Sequence, residues 1–194
     1  FDIGTTTIAG YLTDAQTGAV LRQQGQLNAQ HSFGADVISR AQHAQTPQGL
    51  AALRTCIRRQ LSDMAVSLLQ HDDPTAVAGV SIAGNPVMLH LLLGVSPAGI
   101  TRAPFAPVFS DAKYLPAPLL DLPFAQAQVR LLPGISGYVG ADTVAAVLSS
   151  GLHKTDQLSL LLDIGTNGEI VLGDRTGLRA CSAAAGPAFE GAHI

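Results

Sequence analysis

The chain has 194 residues, of which 47% are hydrophobic and 13% are charged, and its formal net charge is −3. This length and composition provide for a globular protein with a sizeable core and exclude a largely disordered chain. The small net charge, without a run of Lys or Arg, argues against a nucleic-acid partner. No apolar stretch approaches membrane-spanning length and no signal peptide is recognisable, so we predict a cytoplasmic protein without a membrane partner.

The start of the chain predicts three strands followed by helices. "TIAGYLTD" and "AVLRQQGQLN" are β-prone and are separated by the turn "AQTG". "GADVISRAQHA" predicts a helix with Val37, Ile38 and Ala41 on one face. Pro47 begins a longer helix, whose apolar residues recur at helical spacing as far as Leu68.

The middle of the chain predicts alternating strands and helices. "TAVAGVSIAG" is typical of a buried strand, and "NPVMLHLLLG" predicts a helix with Asn85 as its N-cap and Pro86 as its first residue. Residues 96–126 are rich in Pro, Ala and Phe without a clear period, so we interpret them as an irregular insertion. "AQVRLLPG" predicts a strand and "GADTVAAVLSSGL" a helix that ends at Gly151.

The end of the chain repeats the pattern of its start. "QLSLLLDIG", "EIVLGD" and "GLRACSAAAG" again predict strand, turn, strand and strand. We therefore predict an α/β protein. Residues 1–152, including the insertion, form one ribonuclease H-like lobe with a mixed β-sheet flanked by helices, and residues 153–194 form the truncated beginning of a second such lobe.

Each of these two units carries Asp-Ile-Gly-Thr at the end of a strand, at residues 2–5 and 163–166. A Gly-Thr turn exposes backbone N–H groups and lets the main chain approach a ligand, and an Asp beside it suits a hydrated Mg²⁺. A single copy is explained equally well by the geometry of a β-hairpin. Two copies on the same topology favour a pair of phosphate-binding turns that face each other across a cleft.

The two hairpins resemble the phosphate-1 and phosphate-2 motifs of the actin-like ATPase (ASKHA) superfamily, which includes sugar kinases, acetate kinase and the seventy-kilodalton chaperones. "YVGADTVAAVLSSGLH" resembles the connecting helix of that superfamily, on which an acidic or amide residue approaches the γ-phosphate and its attacking water. The resemblance assigns this catalytic role to Asp142. The alternative is an acidic residue that is favoured there by the helix macrodipole.

A narrower resemblance covers most of the chain. "FDIGTTTIAGYL", "FGADVISR", "AGNPVMLHLLLG", "LPGISGYVGADT", "LLLDIGTNGEI" and "AAGPAFEGAHI" together resemble the reductive activators of corrinoid proteins. These iron–sulfur proteins have an N-terminal [2Fe-2S] ferredoxin domain and a C-terminal actin-like ATPase domain, and use ATP to reduce cob(II) to cob(I). The resemblance implies ATP and Mg²⁺ as ligands and a corrinoid protein of a methyltransferase system as partner. A homodimer is kept as a possible assembly.

The resemblance also implies the roles of individual residues. Asp2 and Asp163 would bind the metal and Asp142 would position water. The phosphates would be bound by the two turns, at Gly4, Thr5, Thr6, Gly165, Thr166 and Asn167. The other readings that remain open are a small-molecule kinase of the same superfamily and a non-catalytic nucleotide-binding module.

The chain departs from the family pattern in its cysteines. With only Cys56 and Cys181, which lie far apart, it cannot ligate a four-thiolate cluster, so the [2Fe-2S] cluster is expected only outside this chain. We interpret the two cysteines as buried thiols in a reducing compartment, and the six histidines show no metal-ligand spacing. The chain also stops before the expected adenosine-binding segment, so we expect an excised fragment that is inactive by itself.

Several further residues have two readings. Asn85 either faces the cleft or only caps a helix, and Glu169 either reaches the metal or, as the favoured reading, faces outward from its strand. Gly186 and Glu190 are interpreted as the start of a phosphate-facing helix. Phe33 and Phe189 are interpreted as core residues.

Overall fold

The computed structural model describes residues 1–165 and 167–184. Within those residues, none of the helices is both long enough and apolar enough to cross a membrane.

A six-stranded mixed sheet forms the centre of the molecule. Its strands lie in the order β3-β2-β1-β4-β6-β5. The first three form an antiparallel meander, β4 runs parallel to both β1 and β6, and β5 runs antiparallel to β6. The strands are β1 (Asp2–Ile3), β2 (Thr7–Thr13), β3 (Val20–Leu27), β4 (Gly79–Gly84), β5 (Lys113–Pro116) and β6 (Gln128–Leu131).

In the described part of the chain, four α-helices and several short 3₁₀ turns accompany this sheet. They are α1 (Val37–His43), α2 (Pro47–Leu69), α3 (Pro86–Leu93) and α4 (Ala141–Ser150).

The longest helix, α2, shows why the sequence folds in this way. Thr46 caps it by accepting a hydrogen bond from the N–H of Gly49, and Pro47 stands in its first turn. Its apolar residues at helical spacing are fully buried at Leu53, Ile57 and Leu61. Each such side chain contributes roughly 1.5–3 kcal/mol by leaving water, so this face attaches the helix to the core.

A second, three-stranded sheet follows the six-stranded sheet along the chain. It consists of β7 (Ser159–Ile164), β8 (Asn167–Asp174) and β9 (Gly177–Ala184), antiparallel in the order β7-β8-β9. On one face Val171 is buried, and on the other Leu160 and Leu162 are more than half exposed. This is the strand–strand–strand unit that the repeated sequence pattern predicts.

The structure corrects four predictions. Residues 96–126 are not irregular throughout, because β5 lies within them and joins the main sheet. The side chain of Ile38 is exposed, so it does not share the buried face of Ala41. Cys56 is only half-buried and Cys181 is exposed, so neither is the buried thiol that we expected.

Candidate functional site

A cleft of about 330 Å³ lies where the β1–β2 turn, the end of β4, the start of α4 and the β7–β8 turn meet. All the predicted site residues line it except Thr166, which lies outside the described residues. Of the other lining residues, Asn85 and Glu169 each have two interpretations from the sequence, and Thr7 is an addition made by the structure. The lining is Asp2, Gly4, Thr5, Thr6, Thr7, Asn85, Asp142, Asp163, Gly165, Asn167 and Glu169.

The first turn depends on a glycine for a steric reason. The N–H of Gly4 donates to the carbonyl of Thr7 at 3.0 Å, which closes the turn between β1 and β2. A Cβ atom on Gly4 would lie 2.5 Å from the same oxygen, so any other residue would force the turn open. Because this N–H is already engaged, Gly4 shapes the turn, and the cleft-facing groups come from the threonines that follow it.

Two asparagines hold the first turn from the side of the core. Asn28 is fully buried, and its Nδ2 donates to the carbonyl of Gly4 at 2.9 Å while its own backbone N–H donates to the carbonyl of Thr6 at 2.8 Å. Asn85 caps α3 by accepting from the N–H of Met88, and its Nδ2 donates to Thr5 Oγ1 at 3.1 Å. Both interpretations of Asn85 are therefore correct, because this residue caps α3 and also lines the cleft.

Asp142 enters the cleft from the first turn of α4. Its Oδ1 accepts a hydrogen bond from the N–H of Thr143 at 2.8 Å. Loss of hydration raises the pKa of Asp142, the Thr143 hydrogen bond opposes this, and the negative charges of Asp2 and Asp163 raise the pKa further. The pKa of Asp142 therefore depends on the charge of an acidic residue in each of the two turns.

The second turn brings two carboxylates to the same edge. Asp163 on β7 lies directly opposite Glu169 on β8, and the N–H of Gly165 donates to the carbonyl of Asn167 at 3.0 Å. Glu169 Oε1 accepts a hydrogen bond from Ser182 Oγ at 3.0 Å. The favoured reading of Glu169 as an outward-facing carboxylate is wrong, because its residue lines the cleft.

The charge of the cleft is one-sided. Its lining has four carboxylates and, among the described residues, no Lys, Arg or His. Loss of hydration raises the pKa of Asp2, and the negative charge of Asp163 adds to the rise. Loss of hydration likewise raises the pKa of Glu169, the Ser182 hydrogen bond opposes this, and Asp142 and Asp163 add to the rise. A phosphate group could enter such a cleft only together with a cation that offsets this charge.

The donor set fits a magnesium ion better than a metal that requires a full protein cage. Within the described part of the chain, no group of three or more His, Cys, Asp or Glu side chains is placed to hold a metal ion by itself. Mg²⁺ keeps several waters and takes one or two carboxylates together with phosphate oxygens. Carboxylates that converge on a cleft without forming a cage match that preference.

The mixed sheet, the second meander and the cleft between the two Asp-Ile-Gly-Thr turns define an actin-like ATPase domain of the ribonuclease H-like type. Residues 1–155 match the family model described as "RACo middle region", and residues 157–194 match "C-terminal domain of RACo the ASKHA domain". The chain belongs to this RACo family, and the resemblance that the sequence predicted is confirmed.

Individual relatives agree with the family model. The chain is 37% identical over 198 residues to the corrinoid activation enzyme RamQ of Eubacterium limosum, which covers 100% of this chain and 33% of that protein. It is 32% identical over 139 residues to a [Co(II) methylated amine-specific corrinoid protein] reductase of Methanosarcina barkeri, covering 65% of this chain and 25% of the relative.

A solved structure described as a reductive activator for corrinoid, iron–sulfur protein matches all of this chain with a TM-score of 0.93 and 36% identity. The match covers 31% of that solved chain. The present chain therefore spans about a third of the length of the solved relative and of RamQ.

The remaining predicted residues lie either outside the described part of the chain or at the hydrophobic core. Gly186, Phe189 and Glu190 lie outside the described residues, as does most of the "AAGPAFEGAHI" motif. Phe33 packs against the hydrophobic core, as predicted. Asn28 was missed by the sequence reasoning, although a polar residue directly after an alternating strand was a usable signal.

Proposed function

We propose that this chain is the phosphate-binding part of the ATPase domain of a reductive activator, which drives the reduction of a corrinoid protein from cob(II) to cob(I). The observation that carries the proposal is the cleft, where both Asp-Ile-Gly-Thr turns and Asp142 converge. Family membership and the names of the relatives support the corrinoid protein of a methyltransferase system as partner.

We further propose how the chain is divided. Residues 1–152 make up the first lobe, with residues 96–126 as an insertion that contributes one strand, and residues 153–194 begin the second lobe. The [2Fe-2S] cluster belongs to a part of the longer protein outside this chain, because two separated cysteines cannot ligate it. A homodimer and a cytoplasmic location complete the proposal, the latter supported by the two free cysteines.

The roles of the residues follow from their positions. Thr5 and Thr6 of the first turn, with the backbone shaped by Gly4, bind phosphate oxygens from one side. Gly165, Thr166 and Asn167 do the same from the other side. Asp142, at the start of α4, accepts a hydrogen bond from the water that attacks the γ-phosphorus and so orients it. Binding from two lobes excludes bulk water and holds the polyphosphate in line with that water.

Asp2 and Asp163 would hold Mg²⁺, one from each turn. When bound, Mg²⁺ offsets the negative charge of the phosphates and of the surrounding carboxylates. This assignment accounts for a cleft that is lined by four acidic side chains, because each of them is placed where a cation would lower the cost of bringing in a polyphosphate.

The test uses the full-length protein with the substitution Asp163→Ala. We expect ATP turnover to fall by at least about 100-fold, the scale of losing a charged group that stabilises the transition state, while the circular dichroism spectrum stays unchanged. The matched control is Asp156→Ala, which removes an acidic residue of the same lobe that pairs with Arg175 at the surface.

Calorimetric titration with ATP and Mg²⁺ separates the remaining functions. Binding without turnover in the unmodified full-length protein would support a non-catalytic nucleotide-binding module, and phosphorylation of a metabolite would support a kinase. Turnover that is unchanged by Asp163→Ala would contradict the role proposed for this residue.

A further inference from the structure

Asn28 lies immediately behind the first turn, between the end of β3 and the 3₁₀ turn Ala29–Phe33. Its side chain is completely buried, whereas the turn that it contacts opens to the cleft. Both polar atoms of its side chain and both of its main-chain polar groups are engaged, the carbonyl by accepting from the N–H of His31 at 2.9 Å. The two that reach the turn are Nδ2, bound to the carbonyl of Gly4 at 2.9 Å, and the backbone N–H, bound to the carbonyl of Thr6 at 2.8 Å.

The side-chain oxygen, Oδ1, fixes the orientation of the side chain. It accepts a hydrogen bond from the N–H of Gln30 at 3.0 Å, which leaves Nδ2 directed at Gly4. Nδ2 also lies 3.8 Å from Met88 Sδ of α3, so the amide is enclosed on that side. A carboxylate of the same shape could not replace it, because an unprotonated oxygen would face the oxygen of Gly4 without a hydrogen between them.

The two carbonyls held by Asn28 flank Thr5, whose hydroxyl is held separately by Asn85. Because Asn28 holds the carbonyl oxygens of Gly4 and Thr6 on the side of the core, these oxygens do not face the cleft. Other atoms of the turn face it instead. Such a constraint is what a phosphate-binding turn needs, because it removes the cost of ordering the turn when the ligand arrives.

We propose that Asn28 is a positioning residue that holds the first phosphate turn in its binding conformation. The inference rests on the proposed function, because it assigns the turn to phosphate binding. Asn28 does not touch the ligand and acts through the carbonyls of Gly4 and Thr6. Groups of this kind, one shell behind the binding residues, typically alter affinity or activity by about 10- to 100-fold when they are removed.

The matched control is Gln30, another fully buried amide on the same segment. Its Nε2 donates to the carbonyl of Leu53 in α2 at 3.0 Å, away from the cleft. Asn28→Ala and Gln30→Ala therefore each remove one buried amide that holds a main-chain carbonyl. Only the first removes a contact to the turn.

The experiment measures two quantities in the full-length protein. The first is the dissociation constant for ATP with Mg²⁺, which we expect to rise about 10- to 100-fold for Asn28→Ala and less than about threefold for Gln30→Ala. The second is hydrogen exchange of the amides of residues 4–7 without ligand, which we expect to accelerate for Asn28→Ala alone.

A third variant, Asn28→Asp, keeps the acceptor for Gln30, replaces the donor to Gly4 with a second carboxylate oxygen and adds a negative charge. We expect it to weaken binding as much as Asn28→Ala at neutral pH. Its deficit relative to the unmodified protein should shrink as the pH falls, since the protonated acid can donate to the Gly4 carbonyl again.

The outcomes separate the two proposals. Equal losses of affinity in Asn28→Ala and Gln30→Ala, or faster exchange of the turn with unchanged affinity, would overturn the positioning role. Exchange at residues 4–7 that is unaffected by Asn28→Ala would overturn it as well. If the unmodified protein binds no ATP, the proposed function fails, and the exchange measurement alone still decides whether Asn28 orders the turn.

Discussion

The carboxyl groups that line the cleft make the stability of the fold depend on pH. Loss of hydration raises the pKa values of Asp2, Asp142 and Glu169, and nearby carboxylates add to each rise. A carboxyl group whose pKa is higher in the folded protein than in the unfolded chain binds more protons when folded. Its contribution to stability is therefore greatest in acid and is lost as the pH rises through the folded-state pKa.

This sign leads to a prediction for Glu169→Gln. The amide can still accept a hydrogen bond from Ser182, and it carries no charge that must be desolvated. Without Mg²⁺, we expect the melting temperature at neutral pH to rise by less than about 2 °C, because the carboxyl group is partly exposed and solvent screens much of the cost of its charge. The gain should vanish near the ordinary glutamate pKa of 4.5, where the native carboxyl is itself protonated.

Thermal unfolding followed at several pH values, with and without Mg²⁺, measures the effect. A bound cation should reduce or reverse the advantage of the amide, because it stabilises the carboxylate form. A variant that is less stable than the native protein at neutral pH would show instead that the Ser182 hydrogen bond outweighs the cost of the buried charge.

At the scale of elements, the site depends on how closely α4 approaches the loop between β4 and α3. Gly140 directly precedes α4, at the point where the helix lies closest to that loop. A Cβ atom there would lie 2.6 Å from Asp142 Oδ1, 2.8 Å from the Cα of Asn85 and 2.9 Å from the carbonyl of Gly84. Two of these three atoms belong to the main chain, so the contact cannot be relieved by a side-chain rotation alone.

We therefore expect Gly140→Ala to move α4 away from Asn85. Overpacking of this kind costs about 1–3 kcal/mol, and the displacement of Asp142 should also lower ATP turnover in the full-length protein. Gly25→Ala is the control, because a Cβ at Gly25, which lies within β3, would meet nothing within 4 Å. Chemical denaturation of both variants measures the difference, and equal stabilities would contradict the steric argument.

The sequence predicted those elements whose signal is local. The buried face of α2 follows from apolar spacing, and the cap of α3 follows from Asn85 and Pro86. It did not predict β5, a four-residue strand that includes a proline and owes its conformation to pairing with β6. Nor did it predict that the preceding loop is attached to α3 by His90, whose Nε2 accepts a hydrogen bond from the N–H of Val108. Both depend on contacts between distant parts of the chain.

The same distinction applies to the cleft. The repeated Asp-Ile-Gly-Thr pattern identified both turns, because a repeat can be seen in one sequence. Alternation along β8 alone does not predict that Glu169 lines the cleft. Which face of this strand meets the cleft depends on how the three-stranded sheet packs against α4. Asn28 acts through main-chain carbonyls, so its position directly after an alternating strand is a weaker signal than the repeated pattern of the two turns.

At the scale of the whole molecule, the second sheet has an exposed apolar face. On β7, the outward side chains of Leu160, Leu162 and Ile164 are 57%, 54% and 75% exposed, and Leu172 of β8 lies beside Leu160 and is 44% exposed. A contiguous apolar face of this kind usually marks an interface. The two relatives that match all of this chain are about three times as long, so each of them has additional residues that could cover the corresponding face.

We therefore expect the 194-residue chain alone to self-associate through this face. The double substitution Leu160→Thr with Leu162→Thr should shift sedimentation toward the monomer, because threonine keeps the β propensity and removes most of the apolar contact. In the full-length protein the same pair should instead destabilise the fold by about 2–4 kcal/mol, since two apolar side chains would then be lost from a buried interface. Leu119→Thr, at an isolated leucine that is 58% exposed, is the control and should change neither quantity. A chain that remains monomeric without the substitutions, together with an unchanged stability of the full-length variant, would show that this face is exposed in both forms.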